Sequence, residues 1–372
     1  MNEHPSESAD RVDAVSLRGP LIATIGLAGI GVVVVVAIAV VGLLRGERPV
    51  GDGRDPATYG FEIEGLEERP GFVASGHPRD FMPALDDPET IRGDEVAEYN
   101  ATHRRRPVVS TDRVVGVAIG GESRAYPVPL LEVHEVVNDR LGGVPIAVCF
   151  SPLADAVVVV RREVDGRPVE FGLSGLMLDA THLLYDRDAP QTPSLWSPIR
   201  RRAMSGPRTG TDLDLVTDVA VLSWREWLAR HPDTTVALGD EGSRLRNRRV
   251  DYAHYRDDDT LPLPVEDLDG LPISERKRPV AAIRTPGGDW TVVPLEALRE
   301  FDGSTGLGDV LENGLLLDAE ANPGERTLHL EATGSLEIIP CMRFAAVALL
   351  EERDGESAPE RLPPASSERR DS

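Results

Sequence analysis

Lysine is almost missing from this chain. Of its 40 basic residues only Lys277 is a lysine, and the 63 acidic residues leave a net charge of −23. That balance excludes the basic footprint on which nucleic-acid binding depends. An acidic, lysine-poor surface stays soluble through hydration and self-repulsion. It suits very high salt, where screening over roughly 3 Å at about 1 M suppresses the repulsion. Cysteine is also scarce. Cys149 and Cys341 are the only two, too few for a disulfide scaffold, and both sit in apolar segments as small hydrophobes would. The chain has no Walker-type loop, no dinucleotide fingerprint and no CxxC pair, so the sequence assigns no cofactor and no catalytic residue.

What is present begins with a polar segment, Met1 to Pro20, expected to be a disordered tail. Leu21 to Leu44, LIATIGLAGIGVVVVVAIAVVGLL, carries no charge and is long enough for a bilayer, which needs about 20 apolar residues. A signal-peptide core has only about 7–15, so this reads as a single membrane anchor. Residues 45–86 are rich in Gly, Pro and charge and read as a stalk. Residues 87–353 read as the folded body, and 354–372 as a second disordered tail. Arg11 and Arg18 precede the anchor and Arg45, Arg48 and Arg54 follow it. This near-even count tilts the positive-inside rule toward a cytoplasmic body.

The body predicts a mainly β fold with some helix, of the α+β class. VVGVAIGGESRAYPV is two apolar runs around Gly120-Gly121, a hairpin pattern. PIAVCF and DAVVVVRREVDGRPVEFGLSG continue in β style, with Asp165-Gly166 as a turn. VLSWREWLARHP, Val221 to Pro232, reads as a helix. PVAAIRTPGGDWTVVPLEAL echoes the first hairpin, its proline and its leucine-rich continuation. A later hairpin is expected over Leu315 to Leu336, turning at NPGE. The expectation is an internal duplication, with halves at about 107–240 and 275–353.

HEVVND holds the beginning of a zinc motif. A helical HExxH places two histidines on one face, but the fifth position here is Asn138. The remaining choices are His134 as a lone candidate ligand, or Asn138-Asp139 as a turn before Gly142-Gly143. FGLSG is one residue short of a G-x-S-x-G nucleophile elbow, so Ser174 reads as part of a tight turn. In HLLYDRDAPQTPSLWSPIRRRAMSGP the groups Tyr185, Asp186, Arg187 and Trp196 interrupt apolar strands. The run Arg200-Arg201-Arg202 reads as a solvated face, with an anion or lipid-headgroup patch as the alternative.

GESRAYPVPLLEVHEVVND, FGLSG, LLYDRDAPQTPSLWS, AMSGP and WREWLARHPDT, in this order, resemble the domain-of-unknown-function 3179 family. The resemblance spans about Val114 to Leu350. It extends to RNRRVDYAHYRDDDTLPLPV, similar to a tyrosine-rich stretch of the family, and to RFAAVAL, similar to a strand containing FAW. It implies no established activity. Bacterial members of the family usually carry export signals, which implies an extracytoplasmic body, and that orientation is preferred to the arginine count. The family commonly reads Y-C-P-L-C-G where this chain has Phe150-Ser151-Pro152-Leu153-Ala154-Asp155. Ser151 and Ala154 thus replace two thiols that would suggest a metal or redox site.

Two functions follow as expectations. The first is a membrane-anchored binding or scaffold module without catalysis, its protein or small-molecule partner open. The second is a metal-binding protein or enzyme with a cleft drawn from His134, Asn138, Ser151, Asp155, Ser174, Tyr185, Asp186, Arg187 and Trp196, with His134 the candidate metal ligand. Convergence of His134, Ser151, Asp155 and Asp186 on one pocket would favour the second.

Overall fold

A computed structural model describes residues 49–104, 106–240, 252–258, 260–265, 268, 271–284, 290–294, 315–317, 330–332 and 337–350. Among them no helix is long and apolar enough to cross a membrane. The anchor Leu21 to Leu44 and both tails lie outside the described residues, as does the NPGE turn.

In chain order the strands begin with β1 (Phe72–Ala74), β2 (Leu85–Asp86) and β3 (Thr90–Arg92). Helix α1 (Val96–Thr102) leads to the hairpin β4 (Arg113–Ile119) and β5 (Glu122–Pro127), then α2 (Val128–His134). Next come β6 (Val136–Leu141), β7 (Val144–Ser151), β8 (Ala156–Arg161), and the short pair β9 (Glu163–Val164) and β10 (Arg167–Pro168). They are followed by β11 (Phe171–Leu178), β12 (Thr181–Asp186), β13 (Leu195–Ser197), β14 (Arg202–Ser205), β15 (Val219–Ser223), α3 (Trp224–Arg230) and β16 (Thr235–Ala237). The remainder comprises α4 (Tyr252–Asp257), α5 (Ile273–Arg276), β17 (Pro279–Arg284), β18 (Trp290–Pro294), β19 (Leu315–Leu317), β20 (Leu330–Ala332), β21 (Ile338–Met342) and α6 (Arg343–Leu350). The α+β expectation therefore holds at the level of a mainly β chain with a few helices.

The strands form layers. The middle layer is a sheet of order β2-β6-β7-β8. Its alternate residues serve two cores. Val137, Ile146, Val148, Phe150 and Val159 pack toward Val115, Val117 and Val221 of a sheet ordered β19-β20-β15-β4-β5-β16-β3. Val136, Ala147, Cys149, Val158 and Val160 pack toward Phe171, Leu173, Leu184 and Trp196 of a sheet ordered β1-β11-β12-β13-β14. A sheet ordered β18-β17-β21, with α6 behind it, supplies Val280, Ala282, Ile339, Cys341 and Phe344 to the same core. Burial on both faces is the reason that PIAVCF and AVVVV read as unbroken apolar runs.

The outer faces are covered by helix and loop. Trp224 and Trp227 of α3 and Val96 of α1 pack on Val114 and Ala220. Gly116 makes room for this, because a Cβ there would fall 2.3 Å from the Trp227 ring. On the opposite side Tyr59, Leu66 and Phe72 cover Leu176, Leu178, Leu183 and Leu195. The 45–86 stalk expectation is therefore corrected for its described part. β1 pairs with β11, and Tyr59 is fully buried with its hydroxyl donating to the His77 carbonyl at 2.6 Å. The polar, Gly-rich composition conceals a few apolar residues that cap a sheet.

Other local readings are refined in the same way. Asp165 and Gly166, both at positive φ, turn β9 into β10. In VLSWREWLARHP the first three residues finish β15, and Ser223 starts α3 through a capping box with Glu226. Asn138 and Asp139 are not a turn; they lie in the middle of β6, and the chain reverses at Gly142-Gly143. RFAAVAL, expected as a strand, is helical in α6. The hairpin β17–β18 with β21 beside β17 and α6 next in the chain repeats the order of β4–β5, β15 and α3.

Tyr59→Ala is expected to cost about 3–5 kcal/mol of unfolding free energy, as for other buried aromatics. Denaturant titration checks this; an unchanged midpoint would mean that the segment is a stalk after all.

Candidate functional site

The polar residues singled out in the sequence are mostly buried and engaged by the fold. Asn138 on β6 donates to the Phe171 carbonyl and to Asp86, both at 2.8 Å, and accepts from the Phe171 amide at 3.0 Å. One side chain thus satisfies both polar groups of a residue in the neighbouring sheet. Asp86 also takes Arg187, which lies 3.5 Å from Glu170. Asp186 accepts from the Ser194 amide at 2.7 Å, the Trp196 indole at 3.2 Å and Arg208 at 2.8 Å. Tyr185 donates to Asp80 at 2.5 Å, and burial raises the pKa of both groups.

Ser174 is part of a β-bulge. Its hydroxyl donates to the Leu183 carbonyl at 2.6 Å and accepts from the Leu176 amide at 3.0 Å, where the register of β11 shifts and Gly175 takes φ +78°. It fills the gap opened where three residues of β11, Ser174 to Leu176, lie opposite one of β12, Leu183. Ser151 ends β7, buried, opposite Ala156. Asp155 closes the β7–β8 turn at positive φ, forms a two-pronged pair with Arg113, and lies 3.7 Å from Arg256. His134 ends α2, fully buried, with Nδ1 2.8 Å from the Pro83 carbonyl.

His134, Asp155 and Asp186 therefore have separate sets of partners. Among the described residues no three His, Cys, Asp or Glu side chains are placed to hold one metal ion. Both readings of the Arg200–Arg202 run need correction. Arg200 is buried on Asp179 at 3.0 Å, and Arg201 is buried near Glu337 at 3.7 Å, so neither is a solvated face or a headgroup patch. Arg202 pairs with Asp212 at 2.7 Å. The cysteines are free and buried, and burial pushes the Cys149 thiol up to about 12.

The sequence reading missed a close acid–imidazole pair. Glu135 caps α2 in the left-handed region at φ +56°, a conformation that costs a non-glycine residue energy. Its carboxylate lies 3.4 Å from Nδ1 of His182 on β12, with the two side chains 12% and 7% exposed. Burial pushes the Glu135 carboxyl up to about 8 and the His182 imidazole down to about 4. Both ring nitrogens of His182 are buried without a hydrogen-bond partner among the described residues, so the contact with Glu135 is one of proximity and charge. Glu132 and, from α4, Tyr252 and Arg256 surround the pair: Arg256 lies 3.7 Å from Glu132, and burial with the charges of Glu135 and Glu132 pushes Tyr252 up to about 12. The only trace in the sequence is a histidine within the apolar strand THLLYD.

Residues 79–307 match the family model described as "Protein of unknown function (DUF3179)". No curated protein and no solved structure matches.

Two outcomes follow. Asn138→Ala strands the polar groups of Phe171 and is expected to cost about 2–4 kcal/mol in a denaturant titration. The second concerns pH. The carboxyl of Glu135 has an ordinary value of 4.5 and titrates near 8 when folded, so the folded protein keeps a proton that the unfolded chain loses, and stability falls as pH rises through that window. His182 works oppositely between about 4 and 6.5, where stability grows with pH. Above 6.5 only the Glu135 contribution remains, so the wild type should lose stability from there to about 8. Glu135→Gln should flatten that loss in unfolding midpoints measured across the window.

Proposed function

The chain belongs to this DUF3179 family, and on that premise we propose that it is a single-pass membrane protein whose β-rich body works outside the cytoplasm as a binding or scaffold module without catalysis. The observation that carries the reading is how the distinctive polar residues are used. Asn138 and Ser174 each tie one strand to another, Asp186 ties β12 to Trp196 of β13, and Arg187, just past β12, reaches Asp86 of β2. A set of groups held so fully by the fold serves shape, and shape is what a binding surface needs. The uncharged run Leu21 to Leu44 supports the anchor, and the export signals usual in the family support the side.

Two further elements belong to the same reading. The net charge of −23 fits a surface adapted to high salt. The recurrence of hairpin, third strand and helix in β4–β5–β15–α3 and β17–β18–β21–α6 supports an origin by duplication. The alternative, a metal-binding or enzymatic cleft around His134, Asp155 and Asp186, is less favoured, because each is held by a different group: the Pro83 carbonyl, Arg113 and Arg208.

Fractionation and protease protection test the proposal together. The full chain should sediment with membranes, and deletion of Leu21 to Leu44 should release the body. Protease added outside intact cells should degrade the body and spare a cytoplasmic marker. A body protected in intact cells, or a full chain in the soluble fraction, would refute the proposed topology.

A further inference from the structure

Because the expected stalk is folded, the anchor has little slack. Residues 50–59 are fastened to residues 76–79 at three points. The Val50 carbonyl accepts from the Arg79 amide at 2.8 Å. Gly53 packs so closely on Gly76 that a Cβ would fall 2.7 Å from its carbonyl oxygen. Tyr59 donates to the His77 carbonyl at 2.6 Å. The body is therefore fixed from Val50 onward, and only Arg45 to Pro49 separate it from the uncharged run that ends at Leu44. The Cα steps from Leu44 to Val50 span about 20 Å at full extension. The headgroup layer takes up about 5–7 Å of that reach.

The same end of the body keeps apolar groups in water. Among the described residues three large hydrophobic side chains are exposed, and two of them, Val50 at 39% and Phe81 at 51%, belong to these joined segments. Phe81 stacks on the exposed His77 ring, with centroids 4.0 Å apart and an interplanar angle of 6°. The turn that presents it is fixed. The Phe81 amide donates to the Pro78 carbonyl at 3.3 Å, and the Asp80 amide, at φ +53°, donates to the Leu173 carbonyl at 2.9 Å. A single exposed hydrophobic residue needs no explanation. An aromatic group held on a fixed turn beside a short membrane tether calls for one.

We propose that the surface formed by Val50, His77 and Phe81 docks on the bilayer that Leu21 to Leu44 crosses, with Phe81 entering the headgroup layer. The docking rests on the anchored reading above and adds which face of the body meets the membrane. Phenylalanine is among the side chains that enter the boundary between headgroups and acyl chains, and binding there scales with the apolar area buried. Two side chains are a small area, too little to hold a free protein on a membrane. The tether removes that difficulty. A short linker makes the contact intramolecular and raises its effective concentration to about the millimolar range.

Charge points to neutral headgroups. A chain of net charge −23 is repelled by an anionic lipid surface. Near the patch Arg54 is exposed, while Asp52 is engaged by the amides of Arg54 and Asp55, both at 2.8 Å. Arg79 is turned to the protein, its guanidinium over the Phe61 and Tyr185 rings at 4.1 and 4.6 Å. The contact is therefore apolar, and zwitterionic phosphatidylcholine suffices for it.

Fluorescence quenching on the full chain tests the docking. Cys149 and Cys341 are buried, so a thiol-reactive fluorophore on a His77→Cys variant reports that position. The carbonyl that takes the Tyr59 hydroxyl is backbone and survives the change. The chain is reconstituted in phosphatidylcholine vesicles in which some lipids carry a nitroxide quencher on the headgroup. The quencher occupies both leaflets, so either orientation reports. An Ala101→Cys variant, labelled on exposed α1 at the opposite outer face, is the reference. The His77→Cys label should lose most of its emission and the Ala101→Cys label little. Phe81→Asp and, separately, Val50→Asp alter exposed side chains, and either should return the His77→Cys label toward the reference. Equal quenching of the two labels overturns the proposal. So does quenching that neither aspartate weakens, because the tether alone would then account for it. Flotation of the same vesicles separates the two readings. A chain that floats with equal quenching loses the docking face and keeps the anchor, and a chain that does not float loses both.

Discussion

Asn138 is the joint on which the layers depend. The middle sheet is buried on both faces, so a polar group that enters it needs a hydrogen-bond partner there. The Asn138 amide closes the circuit between β6 and β11 by binding both the N–H and the C=O of Phe171. It then passes the connection outward to Asp86, and through Asp86 to Arg187. Phe171 is held against Trp196, with ring centroids 5.6 Å apart at 68°, and Trp196 in turn leans on Asp186. The position of the outer sheet against the middle one follows from that chain of contacts.

Charge is handled by the same logic. Burying an ion pair gains little net stability but fixes its partners in place, because separating them leaves an uncompensated charge. Arg113 with Asp155, Arg200 with Asp179, and Arg208 with Asp186 are such ties. Arginine suits them because its planar fork can bind a carboxylate at two points. The scarcity of lysine is therefore a property of the interior as well as the surface. Lys277, fully buried, lies over the Tyr255 ring and donates to the Tyr255 carbonyl.

HEVVND brings these constraints together in one word. His134 ends a helix and meets a carbonyl, Glu135 turns the chain through a left-handed residue, and Val136 and Val137 face opposite cores. Asn138 joins the sheets, and Asp139 takes Tyr126 at 2.7 Å. The segment resembled a metal motif because it concentrates polar groups beside apolar ones. Its residues diverge because a strand sends successive side chains to opposite faces. The neighbour that gives Glu135 chemical interest, His182, is distant in sequence.

The sequence by itself determined the β-rich character, the Gly120-Gly121 and Asp165-Gly166 turns, the core strands and the family. Those features rest on local periodicity and turn chemistry, which neighbouring residues specify without help. It did not reveal that Tyr59 and Phe72 cap a sheet, that Asn138 is a clamp and not a turn, or that Arg200 is buried. Each of those depends on a partner brought close by the fold: Leu176 and Leu178 for the cap, Phe171 for the clamp, Asp179 for the arginine. The pairing of Glu135 with His182 was likewise decided only by the packing of β12 against the end of α2. A side chain's polarity is written in its residue type, but whether it faces water, a core or an opposite charge is set by what the rest of the chain places beside it.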